Sequence, residues 1–420
     1  MTPRERIAAA LDHRETAELP ADFGGGFQTG IAVSLVYQLR QRLGLDRPGT
    51  PVRVIEPYQM LGEIAPDLGE ALGSDTTPLY GTGTMFGYPA LAFKEWRLPD
   101  GTPVLVPEDF NTQFEANGDL LQYPGGDRSC GPCARMPQGG HFFDAIIRQG
   151  QIDETKLDPA DNCEEFTLVD DEALEHYRRR AEQLWTGSDR AVFCTFGGLS
   201  FGDIALVPGT FLKEPKGIRD VEEWYVSTAA RPGYIKAVFE RQCEVAIENL
   251  RRLHAAVGDR VTVIQTNGTD FGTQNGPFQS VAAFRDLYKP YQRRVNAWIH
   301  ENTPWRTLMH CCGGIAPLID DIIEAGFDCL NPVQCSAAGM DPRALKRKYG
   351  ERLVFWGGGV DTQRVLPFGA PEEVRRQVRE RIDVFRPGGG YVFNTIHNIV
   401  ANTPVDNVLA MVEALREYRG

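Results

Sequence analysis

The chain has 420 residues, of which 42% are hydrophobic and 24% charged, enough apolar material to bury a large core. Its formal net charge of -13 argues against a nucleic-acid-binding surface, because phosphate contacts depend on lysine and arginine. The sequence contains no run of eighteen apolar residues, which a membrane span would need. The N-terminal segment lacks the uninterrupted apolar stretch of a signal peptide. These features predict a cytoplasmic protein that acts on a small molecule or on another protein.

Short β-rich segments alternate with amphipathic helical segments along the whole chain. The eight candidate strands are ELPADF (18–23), DTTPLY (75–80), AVFCTF (191–196), VTVIQ (261–265), RTLMH (306–310), CLNPV (329–333), LVFWG (353–357) and YVFNT (391–395). Eight strands that alternate with helices are typical of an α/β protein with a (β/α)8 TIM barrel. A doubly wound open sheet is the alternative, but no Gly-x-Gly-x-x-Gly motif follows the first strand. We therefore predict a single barrel domain over residues 1–420.

Residues 83–190 interrupt the early part of this pattern and predict an insertion within the barrel. Asp-Gly and Asn-Gly pairs separate alternating runs in this region, which indicates a β-hairpin, and such a hairpin could form a flap over the barrel mouth. The insertion also contains CGPC, residues Cys130 to Cys133, which is compatible with a redox dithiol, a loop disulfide or an accidental pair. Nine cysteines without a secretory signal indicate reduced thiols overall, some of which could be metal ligands.

Polar side chains follow most of the predicted strands. In a (β/α)8 barrel the active site lies at the carboxyl ends of the strands, so these side chains are candidate site residues. They are Asp22, Asn267, Asp270, Gln274, His310, Asn331, Gln334, Asp361, Gln363, Asn394 and His397. Each could be an ordinary turn residue, since Asn, Asp and Gly are common in turns, but their concentration at strand ends favours a site.

The segment TLMHCCGGI, residues 307–315, carries the most distinctive candidate. If the strand continues through His310, successive side chains alternate, so His310 and Cys312 share one face while Cys311 packs between strand and helix. An imidazole and a thiolate at this spacing can bind one zinc ion, which needs a third protein ligand in a catalytic site. The candidates for that ligand are His397 and Cys335, with Asp270 and Asp361 as weaker alternatives. A buried cluster without metal is the competing interpretation.

Several segments resemble the uroporphyrinogen decarboxylase superfamily. They are TPRERIAAALDHRETAELP, LYKPYQRRVNAWIH before HCCG, EAGFDCLNPVQ, LVFWGGGVDTQ and TPVDNVLAMVEA. The resemblance covers almost the whole chain outside the insertion and implies a distorted (β/α)8 barrel. One branch of the superfamily decarboxylates a porphyrinogen without metal, and the other comprises zinc-dependent, corrinoid-linked methyltransferases.

The motifs resemble the methyltransferase branch more closely than the decarboxylase branch. The decarboxylases have an Arg-Gln-Ala-Gly-Arg motif after the first strand, where this chain reads ADFGGGFQTGI without arginine. His310 and Cys312 match the His-x-Cys pair of the methyltransferases. Their distant second cysteine corresponds here to His397, when the chain is aligned on Thr403-Pro404, so the implied metal ligands are His310, Cys312 and His397.

The resemblance implies a zinc-dependent methyltransferase that moves a methyl group between a corrinoid, as cobalamin or a corrinoid protein, and a small thiol or a methoxylated or methylated substrate. We expect Gln274, Asn331, Gln334, Asp361 and Asn394 to bind the substrate. Asp22 or Asp270 is expected to act as a general acid or base. Two alternatives are a metal-free decarboxylase-like lyase acting on a carboxylated substrate, and a binding protein that retains the barrel without the chemistry. The superfamily resemblance also implies a monomer or homodimer.

Overall fold

A computed structural model describes residues 1–419. Its strands are, in chain order, β1 (Val52–Glu56), β2 (Leu61–Gly62), β3 (Thr76–Tyr80), β4 (Phe93–Arg97), β5 (Pro103–Pro107), β6 (Gln113–Phe114), β7 (Leu120–Gln122), β8 (Ala134–Met136), β9 (Asp144–Ala145), β10 (Ala191–Thr195), β11 (Val263–Asn267), β12 (Gly272–Thr273), β13 (Gly276–Pro277), β14 (Arg306–His310), β15 (Cys329–Asn331), β16 (Val354–Trp356) and β17 (Tyr391–Val392).

The α-helices fall mainly between the strands that form the largest sheet. They are α1 (Pro3–Leu11), α2 (Val33–Arg42), α3 (Pro66–Leu72), α4 (Asp171–Gly187), α5 (Val221–Ala230), α6 (Pro232–Val257), α7 (Val281–Leu287), α8 (Lys289–Asn302), α9 (Ile319–Glu324), α10 (Pro342–Tyr349), α11 (Val365–Phe368), α12 (Pro371–Phe385) and α13 (Val405–Arg416). Among the residues described, no helix has both the length and the apolar character needed to cross a membrane.

The largest sheet has seven parallel strands in the order β17-β16-β15-β14-β11-β10-β3. Neighbours in this sheet follow one another along the chain, with helices in each connection from β3 onward. This is the arrangement expected for a (β/α)8 barrel, because each helical crossover returns the chain to the adjacent parallel position. The seven later candidate strands of the sequence all contribute to it.

The first candidate strand, residues 18–23, is reduced to a single bridge that lies between the two edges of this sheet. Ala21 pairs with Phe393 just beyond β17, and its carbonyl accepts a hydrogen bond of 2.7 Å from the Asp75 N–H just before β3. The preceding residue, Pro20, accepts from the Phe393 N–H but has no N–H of its own to donate. The sheet therefore curls until its edges meet at Ala21, although only seven extended strands form.

Two apolar clusters lie on the two faces of the curled sheet. The inner cluster consists of Ile7, Ala10, Leu11, Ala191, Phe193, Val263, Leu308, Cys329, Val354, Trp356 and Val392. Its three helical members come from α1, so this helix packs against the inward-facing side chains of the strands. The larger cluster lies between the strands and the outer helices and contains the alternate strand residues, including Met309 and Cys311. Successive side chains along each strand therefore alternate between the inner and the larger cluster.

The region predicted as an insertion contains two small sheets. In the first, β4 and β5 pair as antiparallel strands around a turn at Gly101, and β5 continues the sheet through β1 and β2. The second has the order β6-β7-β8-β9. The β-rich region therefore also uses residues 52–62, and α4 at its C-terminal end packs against β3 and β10 like the other helices of the barrel. Cys130 and Cys133 are free thiols, and Cys133 is buried in the larger apolar cluster.

Candidate metal centre

His310 and Cys312 lie on the same side of the chain at the carboxyl end of β14. Leu308, two residues earlier, belongs to the inner cluster, so the alternation of the strand directs His310 toward the barrel axis. The Cys312 Sγ lies 3.6 Å from the His310 Nε2. Cys311 points the other way, is 1% exposed, and accepts a hydrogen bond at its Sγ from the Phe271 N–H. The alternation predicted from the sequence is therefore observed.

His397 completes a group of three side chains with His310 and Cys312. Their potential ligand atoms all lie within 4.8 Å of one another, and the two imidazole rings meet edge to face with centroids 5.2 Å apart. Within residues 1–419, no other group of three or more His, Cys, Asp or Glu side chains is close enough to hold an ion. Cys335, the alternative third ligand, lies outside the group of three. The loop after β17 thus reaches across the mouth to the end of β14.

A hydrogen bond at the Nδ1 of His310, the ring nitrogen that does not face Cys312, fixes the orientation of the imidazole. The His310 Nδ1 lies 2.7 Å from the Asn331 Oδ1, and the Asn331 Nδ2 donates to the Trp356 carbonyl. Because that amide nitrogen is engaged as a donor, the Asn331 oxygen accepts, and the His310 Nδ1 carries the proton. The Nε2 lone pair is therefore free and faces Cys312 and His397. A hydrogen bond of this kind typically fixes the tautomer of a metal-binding histidine.

The electrostatics of the group suit ligands for a cation. Burial, with a smaller contribution from His310, lowers the pKa of His397 to about 3, so its imidazole is neutral at physiological pH. Burial and the nearby charge of Asp270 raise the pKa of Cys312 well above its usual value. An isolated thiolate would therefore be unfavourable here, and a bound cation would stabilise it.

The geometry fits zinc. Nitrogen and sulfur ligands about 2.0–2.3 Å from one tetrahedral ion lie roughly 3.3–3.8 Å from each other. The 3.6 Å between Cys312 and His310 is within this range, and a ligand atom of His397 lies within 4.8 Å of both. With zinc bound, three protein ligands would leave a fourth position for a substrate, as in catalytic rather than structural zinc sites.

Two further candidates from the sequence support the loop that carries Cys312. The Asp270 Oδ1 accepts a hydrogen bond of 2.6 Å from the Cys312 N–H, and the Gln334 Oε1 accepts one of 2.6 Å from the Gly313 N–H. Gln274 lies apart from them, exposed at the turn between β12 and β13. Asp270 and Gln334 thus lie beside the candidate metal-binding group, which is His310, Cys312 and His397, whereas Gln274 lies apart from it.

The remaining candidates form hydrogen bonds within the barrel. The Asp22 carboxylate is fully buried and accepts from Thr76, Trp356 and the backbone of Gly25, and its burial raises its pKa. Asn394 donates to the Asp22 carbonyl at 2.5 Å, and its Oδ1 has no partner among the described residues. Asp361 accepts from two backbone N–H groups of the following turn. Their expected roles in catalysis and substrate binding stay predictions.

A cavity of about 500 Å³ at the carboxyl ends of β3, β10 and β11 contains polar residues that the sequence reasoning missed. They include Thr195 at the end of β10, Asp203 in the following loop and Gln265 on β11. The segment GGLSFGD, residues 197–203, directly follows a buried strand and combines glycines with an acid. Polar residues beside glycines after a strand are the pattern that identified the candidates at the other strand ends. The same pattern would have identified Asp203.

Comparisons with known proteins support the fold seen here. Residues 210–418 match the family described as "Uroporphyrinogen decarboxylase (URO-D)". The uroporphyrinogen decarboxylase of Methylococcus capsulatus is 26% identical over 232 residues, which are 55% of this chain and 60% of that protein. That of Magnetococcus marinus is 26% identical over 104 residues, or 25% of this chain and 27% of that protein. The chain thus spans 60% or less of the length of these curated relatives.

A solved structure covers the whole chain. A "methyltransferase from Methanosarcina mazei" superposes with a TM-score of 0.52 over 100% of both chains, at 16% sequence identity. At this identity the likeness establishes the fold. It extends the barrel architecture over the part of the chain that precedes the matched family segment.

Proposed function

Since residues 210–418 match the uroporphyrinogen decarboxylase family, we propose that the chain is a zinc-dependent methyltransferase of that superfamily. The reaction would move a methyl group between a corrinoid, free or protein-bound, and a small thiol or a methoxylated or methylated compound. The observation that carries the proposal is the convergence of His310, Cys312 and His397 at the barrel mouth. The methyltransferase fold of the M. mazei protein is in agreement with it.

His310, Cys312 and His397 would hold the ion. When bound, zinc would supply a Lewis acid able to favour the thiolate of a substrate thiol or to polarise a substrate oxygen. The protein's own contribution is to hold the ligands in place. Asn331 keeps the Nε2 of His310 unprotonated, while Asp270 anchors the backbone at Cys312. The two contacts together hold the side chain of His310 and the backbone at Cys312 in place for an ion.

The decarboxylase alternative is less well supported. A substrate with several carboxylates needs cationic side chains at its binding site. The segment after Ala21 has no arginine, and the one cation among the described residues that line the 500 Å³ cavity is Arg219. The Arg219 side chain is 1% exposed and already bonded to Glu164 and Glu165. The cavity therefore offers no free cation for a carboxylate.

Zinc content tests this proposal most directly. We expect about one zinc per chain by elemental analysis of protein purified without chelator, and loss of that zinc in the His310→Ala, Cys312→Ala double variant. The matched control is His254→Ala, Cys335→Ala, which removes the same residue types outside the metal-binding group. The wild type should also demethylate methylcobalamin in the presence of a thiol, or methylate reduced cobalamin from a methoxylated donor. Wild-type protein without stoichiometric zinc would refute the proposal.

A further inference from the structure

The cavity of about 500 Å³ lies at the carboxyl ends of β3, β10 and β11 and is bounded on one side by the loop before α4. Its volume is suited to a small organic molecule. It adjoins the metal-binding group through two carboxylates. Asp203 lines the cavity and interacts electrostatically with Asp270, which is hydrogen-bonded to Cys312. A ligand in the cavity would therefore lie on the side of the mouth that Asp270 faces.

Aromatic side chains form much of the cavity wall. Phe27, Phe166, Phe196, Trp224 and Phe239 all line it, and they come from separate segments of the chain. Phe27 is held by stacking on Tyr80, with ring centroids 4.2 Å apart, and Trp224 packs against Phe239. Flat apolar walls of this kind favour an aromatic ring, which can stack on one face and meet other rings edge-on.

The charges in the cavity disfavour an anionic ligand. Arg219 is neutralised by its glutamate partners, and Glu56 is buried with its carboxylate bonded to the backbone N–H groups of Tyr58 and Gln59. Asp203 has no cationic partner among the described residues. Its carboxyl accepts a single hydrogen bond, from the Ala205 N–H to Oδ1, so that Oδ2 is left for a ligand. An added carboxylate would meet acids and no free cation.

Unpaired polar atoms indicate that the ligand also carries hydrogen-bonding groups. The Thr195 Oγ1, the Gln265 Oε1 and the Trp224 Nε1 are buried, line the cavity and have no partner within residues 1–419. Buried polar atoms are normally paired, so a ligand or ordered water is expected to bond to them. Gln265 on β11 and Thr195 on β10 are direct partners in the pairing of these two strands, so their unpaired atoms lie close together.

We infer that this cavity binds small uncharged aromatic ethers, with Asp203 in its acid form donating a hydrogen bond to the ether oxygen. The inference rests on the proposed function and assigns its methyl-bearing substrate to the methoxylated aromatic class. Burial, together with the charge of Asp270, raises the pKa of Asp203 to about 7, so both forms of the carboxyl are populated near neutral pH. The titratable groups that face Asp203 are Asp270 and Tyr225. Tyr225 stays neutral across this range because burial raises its pKa further.

The test is the affinity of the zinc-loaded protein for 1,2-dimethoxybenzene, an uncharged ring with ether oxygens that only accept hydrogen bonds. Binding is measured by isothermal titration between pH 5.5 and 8.5, without corrinoid. The affinity of the wild type should fall at least fivefold as the pH rises through 7, because Asp203 loses its proton. Asp203→Asn, whose amide donates at every pH, should bind with little pH dependence. Asp286→Asn on the surface of α7 is the control and should follow the wild type.

Two further ligands separate the alternatives. At pH 5.5, where Asp203 is protonated, the anion 2-methoxybenzoate should bind at least tenfold more weakly than the uncharged ether, and so should the cation phenyltrimethylammonium, which has no oxygen to accept the Asp203 proton. Tighter binding of either ion, or an affinity for the ether that does not depend on pH or on Asp203, would overturn the inference. Thr195→Val gives a second test that leaves Asp203 intact, and it should lower the affinity for the ether. Zinc content and methyl transfer are measured separately from ether binding. Ether binding without methyl transfer would therefore refute only the proposed function. Methyl transfer from other donors without ether binding would refute only the inference.

Discussion

Asn331 shows how one side chain can prepare a histidine for metal binding. Its Oδ1 holds the His310 Nδ1 at 2.7 Å, while its Nδ2 is fixed by the Trp356 carbonyl on the next strand. The residue is 1% exposed, so no water competes for these bonds. The imidazole orientation therefore depends on the alignment of three neighbouring strands, β14, β15 and β16.

Asn331→Ala should weaken zinc binding about 10–100-fold, the usual effect of removing the hydrogen-bond partner of a metal-binding histidine. Without the Asn331 oxygen, His310 can adopt the other tautomer, which protonates Nε2. Competition with a chromogenic chelator measures the change in zinc affinity. Asn296→Ala is the control. Asn296 lies on α8, is buried like Asn331, and donates from its Nδ2 to the Ala325 carbonyl. Equal zinc affinities for the two variants would contradict the role of Asn331.

At this scale the sequence is informative where one strand sets the geometry. The alternation along β14 was sufficient to place His310 and Cys312 together and Cys311 in the outer cluster. It could not show that Asn331 contacts His310, because that contact depends on the register between β14 and β15, which pairs these two residues. Asp203 carries the same local signal as the other strand ends, a glycine-rich segment with an acid after a buried strand, but the sequence does not show that it lines a cavity.

Among the secondary-structure elements, the β12–β13 hairpin packs directly on the loop that carries Cys312. The Gly314 N–H donates to the Thr273 carbonyl, and the Ala338 N–H donates to that of Gln274. Gly313 lies between the two segments with φ of +93°. A Cβ added to it would lie 2.3 Å from the carbonyl carbon of Gly272, so only glycine fits.

Gly313→Ala should destabilise the fold by about 1–3 kcal/mol through backbone strain and should also lower zinc affinity, because Cys312 is the preceding residue. Urea unfolding and chelator competition measure the two effects. Gly233→Ala is the matched control. Gly233 lies in the first turn of α6 with open space around its Cα, so alanine there should be neutral or slightly stabilising. A Gly313→Ala protein with wild-type stability and zinc affinity would show that the hairpin moves freely.

Asp328 joins α8 to the start of β14. Its Oδ2 accepts from the Thr307 N–H at 2.8 Å and lies 2.9 Å from the His300 Nε2. Burial opposes ionisation, but the hydrogen bonds from His300 and Thr307 outweigh it and lower the pKa of Asp328. A carboxyl whose pKa is lower in the folded state stabilises the fold above its unfolded pKa of about 3.9, and this contribution is lost as the pH falls through the folded value.

Asp328→Asn should therefore cost about 1–3 kcal/mol of unfolding free energy at pH 7, with a smaller difference from the wild type below pH 4. Urea unfolding at pH 7, 5 and 3.5 measures the trend. Asp259→Asn serves as the comparison, since the Asp259 side chain is 77% exposed and should change stability little at any of these pH values. A difference that stays constant with pH would show that the lost contact is not electrostatic.

Element positions in the second half of the chain follow from the sequence because periodicity and turn residues are unambiguous there. The segments RTLMH and CLNPV contain β14 and β15, and PEEVRRQVRERIDVF is α12. The β-rich region is harder to delimit. β1 pairs with β5 across about fifty residues of chain, and such long-range pairing leaves no local signal.

The whole barrel depends on how its first and last segments meet. Asp75, which precedes β3, is fully buried and lies at this junction. Its Oδ1 accepts from Arg6 on α1 at 2.6 Å, and its Oδ2 accepts from Arg419 at 2.8 Å and from the Ala21 N–H at 2.9 Å. One carboxylate thus joins the N-terminal helix, the single bridge at Ala21, and the C-terminal segment. The sequence gives no sign of this arrangement, because Asp75 and Arg419 are 344 residues apart.

Asp75→Asn should destabilise the protein by about 3–5 kcal/mol, since it removes the anion that Arg419 pairs with and one of the two anions that pair with Arg6. Urea unfolding provides the measurement, and the control is Asp320→Asn. Asp320 also accepts from two cations, Lys348 and Arg352, but its side chain is 47% exposed, so its loss should cost less than about 1 kcal/mol. Ala21 directly precedes Asp22, which accepts a hydrogen bond from Trp356, and the Trp356 carbonyl in turn holds Asn331 against His310. Loosening this junction in Asp75→Asn should therefore also reduce the affinity for zinc. Equal stability losses in the two variants would show that the barrel closes without the Asp75 network, through the backbone bonds at Ala21 alone.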